Sequence, residues 1–205
     1  LAVLTISNGP TYNFGTVIAG ASASSSLVVT NSGESAATLG AVSSAGLGLS
    51  APFGFDGGTC TTGGTVAPDG GTCALAIVFA PTDAGVMNES VDLVYLNGIA
   101  DAGASRAVQG TAIWPGLVSI SDGPTYPYGS VIVGLKGAKI FTVANGGDAP
   151  STLGTISTAG LALASPFVLD GGTCGTGAIL DAGGGSCTLV VEFGPVASGA
   201  ANDTI

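Results

Sequence analysis

The chain contains no histidine and only three basic residues, Arg106, Lys136 and Lys139. Without an imidazole, Ser-His-Asp and Cys-His catalytic arrangements are impossible, so we expect no enzyme of those classes. Thirteen acids give a net charge of −10, which argues against binding to nucleic acid or to anionic membrane surfaces. No run of 18 apolar residues is present, so we expect no direct membrane insertion.

Glycine is abundant instead, with 36 residues, and much of it lies in a segment that occurs twice. The first copy, at residues 56–81, reads DGGTCTTGGTVAPDGGTCALAIVFAP, and the second, at residues 170–195, reads DGGTCGTGAILDAGGGSCTLVVEFGP. The repeats follow each other at a constant offset of 114 residues, and 12 of 18 positions match between residues 43–60 and residues 157–174. Tandem duplication predicts two domains, each large enough to bury a core of its own.

Hydrophobicity alternates with a period of two after the second cysteine of each repeat. In the first repeat, Leu75, Ile77 and Phe79 would share one buried face of a strand. In the second, Glu192 falls on the opposite face, which we expect to be at least partly exposed to water. No helical periodicity is evident. The sequence therefore predicts an all-β protein in which each repeat forms one sandwich of about seven short strands.

Each repeat carries one cysteine pair around a glycine-rich loop, Cys60 with Cys73 and Cys174 with Cys187. The spacing differs from the C-x(2-4)-C knuckle of zinc sites, so we predict a local disulfide in each repeat. Reduced, buried thiols are the alternative. Each disulfide would stabilise the fold by about 3 kcal/mol in the chain-entropy model. Disulfides persist in oxidising compartments, which predicts an extracellular or cell-surface protein.

The junction between the repeats is short. Trp114, Pro115 and Gly116 leave too little chain for a free tether. Trp114 would either pack between the repeats or complete the core of the first. The predicted organisation is a first domain at residues 1–113, a linker at residues 114–117 and a second domain at residues 118–205.

The second repeat stops at Ile205, the counterpart of Val91 in the first. We therefore expect it to lack its C-terminal strand or strands, which would leave core positions and a sheet edge open. Residues beyond position 205 would complete it, or a neighbouring chain would do so by strand addition. On either route, we expect the second domain to be unstable as a monomer of residues 1–205.

Candidate ligand-binding residues are few. Exposed aromatic clusters mark glycan or protein sites, and Tyr12, Tyr126 and Tyr128 are the only candidates; Tyr12 and Tyr126 are expected to pack on the sandwich edge. Acids in Asp-Gly-Gly or similar turns are expected to bond their own backbone, with calcium binding as the alternative. These acids are Asp56, Asp69, Asp170 and Asp181.

Nearly the whole chain follows, twice, one pattern of strand and turn residues. In the first copy the pattern is Tyr12-x-Phe14-Gly15-x-Val17-x-x-Gly20, Leu27-Val28-Val29-Thr30-Asn31-x-Gly33, Cys60, Pro68-x-Gly70-x-x-Cys73, Phe79-x-Pro81 and Gly85. This pattern resembles the choice-of-anchor D repeats of bacterial surface proteins, which are related to ASH and PapD-like sandwiches. The second copy departs from it at Ala182, which replaces a proline, and at Tyr128, which replaces Phe14. The resemblance implies two tandem immunoglobulin-like β-sandwich domains without a shared catalytic site.

These observations favour a structural, non-catalytic repeat module of an extracellular bacterial surface protein or fibre, such as a stalk or a filament subunit. The expected partners are further copies of the chain, with strand complementation as one route, or adjacent domains of the same protein. No cofactor or metal is expected. The alternative is an adhesin or another glycan-binding or protein-binding module, with a glycan or host-surface ligand.

Overall fold

The computed structural model describes residues 1–205 and divides them into two compact units, Leu1–Trp114 and Pro115–Ile205. The all-β prediction is confirmed: one 3₁₀ turn at Ala45–Leu47 is the only regular element that is not a strand. No helix is long and apolar enough to cross a lipid bilayer.

Unit 1 consists of two sheets. One sheet has the strand order β1-β3-β7-β5 and the other has the order β2-β9-β8-β4-β6. The strands are Leu4–Ile6 (β1), Thr11–Ile18 (β2), Ala23–Asn31 (β3), Ala37–Leu39 (β4), Phe53–Gly58 (β5), Thr65–Val66 (β6), Gly71–Phe79 (β7), Gly85–Leu96 (β8) and Asp101–Ile113 (β9).

A single continuous core of 22 buried residues lies in unit 1. The alternation predicted for β7 is confirmed, because Leu75, Ile77 and Phe79 are all fully buried. The long β8 and β9 strands pair with each other over their whole length and contribute Leu93 and Val108 to the same core. Burial of both apolar sheet faces against each other is what stabilises such a sandwich.

Strand β2 pairs with β9 in parallel, while the other strand pairs in unit 1 are antiparallel. The paired residues run from Thr11 opposite Ala107 to Ile18 opposite Ile113, with a register shift around Gly15. Gly15 has a φ of 77°, a conformation that glycine adopts without steric cost. Strand β2 therefore depends on β9 for its backbone partners.

Unit 2 contains a sheet equivalent to the four-stranded sheet of unit 1, but only two short strands equivalent to the five-stranded sheet. Its main sheet has the order β10-β11-β15-β13, and a separate two-stranded sheet is formed by β12 and β14. Its buried residues form two separate clusters, of five and four residues. The strands are Val118–Ile120 (β10), Gly137–Asn145 (β11), Ser151–Thr152 (β12), Phe167–Gly172 (β13), Ile179–Leu180 (β14) and Ser186–Phe193 (β15).

The register of the main sheet is the same in the two units at the offset of 114 residues. The pairing of Val29 with Cys73 in unit 1 becomes the pairing of Val143 with Cys187 in unit 2. Residues 125–132, the counterpart of β2, form no strand. No counterpart of β9 lies within residues 115–205, so this segment has no parallel partner.

Glu192 differs from the sequence expectation. It is only 8% exposed, so the prediction of a water-exposed position is wrong for this residue. Ala138 and Val168 on the neighbouring strands lie opposite it on either side. Its carboxylate forms an ion pair with Lys136, and a paired charge can be covered at much lower cost than an isolated one.

Two of the four Asp-Gly acids also lie elsewhere than expected. Asp56 and Asp170 are exposed residues of β5 and β13, beside a register shift in each strand, and not residues of turns. Gly58 explains the bulge, because a Cβ there would overlap the carbonyl oxygen of Ala74. The Asp-Gly-Gly motif therefore allows two strands to approach closely. Asp69 lies in a turn with a positive φ, and Asp181 immediately precedes the turn of residues 182–184.

Candidate functional site

The structure joins the two cysteine pairs as local disulfides, Cys60 with Cys73 and Cys174 with Cys187, each with a Cα–Cα distance of 5.0 Å. The amides of Thr59 and Cys60 both donate to the carbonyl of Ala74. In each unit the disulfide thus fixes the loop that follows the bulged strand against the start of a core strand, β7 in unit 1 and β15 in unit 2.

A buried asparagine in each unit ties several loops together, and the sequence reasoning missed both. Asn31 is fully buried, and its amide makes four hydrogen bonds to backbone groups. Asn145, at the equivalent position, makes the four equivalent bonds and a fifth, to the carbonyl of Asp181. The available signal was an asparagine two residues before a glycine at the end of a strand in both copies. Asn31 accepts from Val3 and Gly33 and donates to Ser35 and Val66, at 2.8–3.1 Å.

Arg106 is the one arginine of the chain, and its side chain forms hydrogen bonds with backbone carbonyls of unit 1. Its guanidinium donates to the carbonyl oxygens of Ile6 and Pro10, with Nη1 lying 2.9 Å from the latter. Gly9 packs directly against the guanidinium, where a Cβ would overlap it. The arginine therefore fastens β9 to the segment between β1 and β2.

Both lysines of unit 2 pair with a nearby acid. Lys139 Nζ lies 3.0 Å from Asp122 Oδ1 and 4.6 Å from the centre of the Tyr126 ring. Hydrogen bonds from Ser121 and Lys139 lower the pKa of Asp122 below its ordinary value. The hydrogen bond from Lys136 to Glu192 raises the pKa of that lysine. No group of three or more acidic or cysteine side chains converges as a metal site would require.

The aromatic residues form equivalent clusters in the two units. Phe53 and Phe79 stack at 4.8 Å in unit 1, and Phe167 and Phe193 stack at 4.8 Å in unit 2. The ring of Tyr128 lies against the second pair, and its hydroxyl donates to the carbonyl of Val191 at 2.8 Å. Burial raises the pKa of Tyr128, with a smaller contribution from Tyr126. These rings are core residues of the sandwich.

A cavity of unit 2 lies over this cluster, with a volume of about 790 Å³. Residues 120–126 and 197–205 line its rim. Its floor consists of Phe141, Leu163, Phe167, Val191 and Phe193, each of which is less than 9% exposed. In unit 1, β9 lies over the equivalent Phe79 ring, and no strand takes that place here.

The residues of the predicted junction lie at the boundary between the units. Trp114 is the last residue of unit 1, and Pro115 and Gly116 are the first residues of unit 2. Within unit 2, a Cβ on Gly116 would overlap the hydroxyl of Ser151, so this glycine fits closely against its own unit.

A family model described as HYDIN/CFA65/VesB-like, Ig-like domain, matches residues 5–107 of the chain. A search of curated proteins finds no match.

Similar solved structures include the VesB protease of Vibrio cholerae, with 19% identity, a TM-score of 0.44 and coverage of 54% of this chain and 31% of that chain. The chain thus covers less than a third of VesB. A protein of unknown function from Porphyromonas gingivalis W83 has 17% identity, a TM-score of 0.44 and coverage of 93% and 83%. An ASH/PapD-like domain of human CEP192 has 17% identity, a TM-score of 0.39 and coverage of 55% and 86%. We draw no argument about activity from these similarities.

Proposed function

The chain belongs to the HYDIN/CFA65/VesB-like Ig-like domain family, and from this premise we propose that it is a non-catalytic, load-bearing module of an exported protein. The exported protein would be a bacterial surface stalk or fibre, as the resemblance to choice-of-anchor D repeats implies. Its partners would be neighbouring domains or further copies of the chain.

The observation that carries this proposal is the parallel pairing of β2 with β9 in unit 1. Strand β2 lies near the N-terminal end of the unit, and β9 ends at its C-terminal boundary. A force applied to the two ends pulls these strands along their axes in opposite directions. The evenly spaced bonds of a parallel pair are then loaded together rather than broken one after another. The last of them runs from the amide of Ala19 to the carbonyl of Ile113, at 2.8 Å.

The disulfides support the extracellular part of the proposal. A cysteine pair closes a loop in each unit, and such bonds persist where the surroundings are oxidising. Because the disulfide links the two ends of this loop, the residues between the cysteines cannot extend when a force unfolds the unit, which would suit a module under tension.

Removing one donor of the β2–β9 ladder should weaken unit 1 mechanically. We expect Ala19→Pro to lower the force at which unit 1 ruptures, because proline has no N–H to donate to Ile113. The measurement is single-molecule force spectroscopy of the full chain, with unit 1 identified by its gain in contour length.

The matched control is Val133→Pro, at the equivalent position of unit 2, where no such ladder exists. This control should leave the rupture force of unit 1 unchanged. Extension of wild-type unit 1 without a force peak, or equal rupture forces for wild type and Ala19→Pro, would contradict the proposal.

A second candidate, a protein-binding module, is favoured by one observation: Val118 and Ile120 in β10 are 42% and 39% exposed, whereas their counterparts in β1 are 5% and 3% exposed. Contiguous exposed apolar surface marks interaction sites in soluble proteins.

A further inference from the structure

Three asparagines of the chain are followed directly by glycine: Asn8, Asn97 and Asn145. In such a pair the backbone nitrogen of the glycine can attack the side-chain carbonyl carbon of the asparagine, because glycine has no side chain to hinder the approach. The reaction needs an asparagine side chain that rotates and a glycine N–H without a hydrogen-bond partner. Since the three pairs share the same two residues, their surroundings in the fold decide which of them reacts.

The segment around Asn8 leaves both reacting groups free. Asn8 is exposed and lies in the connection between β1 and β2. Its side chain forms no hydrogen bond, and the N–H of Gly9 has no acceptor within the chain. Rotation of the Asn8 side chain towards the Gly9 nitrogen therefore breaks no hydrogen bond.

The other two asparagines are held in place. The side-chain oxygen of Asn97 accepts from two backbone N–H groups that follow it, both at 3.1 Å. Asn145 is fully buried with five side-chain hydrogen bonds. The N–H of Gly146 donates to the carbonyl of Leu117 at 2.8 Å. Asn97 must break two hydrogen bonds before it can react, and Asn145 requires local opening of unit 2.

We propose that Asn8 is a self-modification site, at which the folded chain converts its own asparagine to aspartate and isoaspartate. The nitrogen of Gly9 bonds to Cγ of Asn8, the Cγ–Nδ2 bond breaks, and ammonia leaves with the proton from Gly9. Water then adds to one of the two carbonyls of the resulting cyclic imide. Cleavage between the nitrogen and Cγ gives aspartate. Cleavage between the nitrogen and the backbone carbonyl carbon gives isoaspartate, in which the main chain continues through Cγ.

The second repeat shows that an aspartate fits the fold at this position. Asp122 is the counterpart of Asn8, and its φ of 60° matches the 64° of Asn8. The hydroxyl of Ser121 donates to the carboxylate of Asp122 at 2.7 Å, and Ser7 supplies the equivalent hydroxyl in unit 1. The aspartate product should therefore keep the structure of the connection and add one exposed negative charge.

The isoaspartate product does not fit in the same way, because it lengthens the main chain by one atom. Arg106 fixes the length of this connection, since its guanidinium donates to the carbonyl oxygens of both Ile6 and Pro10. Gly9 also fits closely against the guanidinium. An extra atom between the two carbonyls should release at least one of these bonds. Strand β2 begins directly afterwards, at Thr11, so isoaspartate should loosen its first residues.

A time course of the full chain compares the three asparagines in one sample. The chain is incubated in mildly alkaline buffer, and conversion is followed by mass spectrometry of chymotryptic peptides. Asn8 should convert in the folded chain at close to its rate in the unfolded chain. Folding should slow Asn97 by roughly tenfold and Asn145 by about a hundredfold or more, because hydrogen bonds must open first. The chain unfolded in urea is the matched control, in which we expect similar rates at all three positions.

Two variants test the site and its products. Asn8→Gln should not convert, because closure of the larger ring is much slower, and Asn97 should be unaffected. Asn8→Asp reproduces the aspartate product and should leave hydrogen exchange at residues 11–13 unchanged. The isoaspartate fraction of aged wild-type protein, separated by chromatography, should exchange faster at these residues than Asn8→Asp does.

This inference concerns the chemistry of Asn8 and does not depend on load-bearing by unit 1. Conversion of Asn97 or Asn145 ahead of Asn8 in the folded chain would overturn it. So would folding that slows Asn8 as strongly as Asn145. Equal hydrogen exchange at residues 11–13 in the isoaspartate fraction and in Asn8→Asp would overturn the predicted effect on β2.

Discussion

At the scale of single residues, the fold depends on a few polar side chains that serve several backbone groups each. Asn31 illustrates this, because its one amide group satisfies two backbone N–H groups and two carbonyls around the end of β3. Buried backbone groups without partners are costly, so a side chain with both donors and acceptors is needed at this point. Asn145 forms the equivalent hydrogen bonds in unit 2.

Asn31→Asp should destabilise unit 1 strongly. The change replaces the two N–H donors by a carboxylate oxygen that faces the carbonyls of Ser35 and Val66. We expect the free energy of unfolding to fall by about 3 kcal/mol or more, because one oxygen of a buried carboxylate would face two carbonyl acceptors, and only the other would keep its N–H donors. Urea unfolding of unit 1, followed by hydrogen exchange of its peptides, measures the change.

The control for this prediction is Asn13→Asp. Asn13 is exposed, and its side-chain oxygen accepts from the amide of Gly15 at 2.7 Å, a role that a carboxylate keeps. This variant should stay within about 0.5 kcal/mol of wild type. Equal effects of the two substitutions would show that the buried network does not matter.

At the scale of elements, the disulfide loops have the same structure in both units, whereas the segment that forms β2 in unit 1 forms no strand in unit 2. Each disulfide lies within one loop, so both units form it in the same geometry. Strand β2 instead depends on a partner that is far away in the sequence. Residues 125–132 resemble β2 in sequence and yet form no strand, because a strand exists only where its backbone groups are paired.

Both cysteine pairs should be oxidised within their own repeat. Treatment of the unfolded, unreduced protein with a thiol reagent should give no adduct by mass spectrometry, and the same treatment after reduction should label all four cysteines. A digest without reductant should yield Cys60 linked to Cys73 and Cys174 linked to Cys187. Labelling before reduction would refute the disulfides and remove the main support for an extracellular location.

At the scale of the whole molecule, the two units differ in how much apolar surface they bury. Unit 1 has one continuous core, whereas the buried residues of unit 2 form two small clusters, one of which lies beneath a cavity of about 790 Å³. Because hydrophobic burial is the dominant stabilising term in folding, the units should differ in stability although their main sheets share one register.

Unit 2 should therefore open before unit 1 in the chain of residues 1–205. Hydrogen exchange at increasing urea concentration should show loss of protection in β11 and β15 while β3 and β7 remain protected. Aggregation or self-association that begins in unit 2 would fit the same cause. A monomer in which the equivalent strands of both units lose protection together would contradict the prediction.

The sequence alone determined the features that depend on nearby residues. Period-two alternation identified the β7 core strand, the duplication identified two related units, and the cysteine spacing indicated local disulfides. Only the tertiary structure revealed the network around Asn31, the burial of Glu192 and the bulge at Gly58. It also showed that residues 11–18 form a strand whereas the similar residues 125–132 do not. Each of these depends on backbone groups that approach from distant parts of the chain, and no local pattern specifies which of them meet.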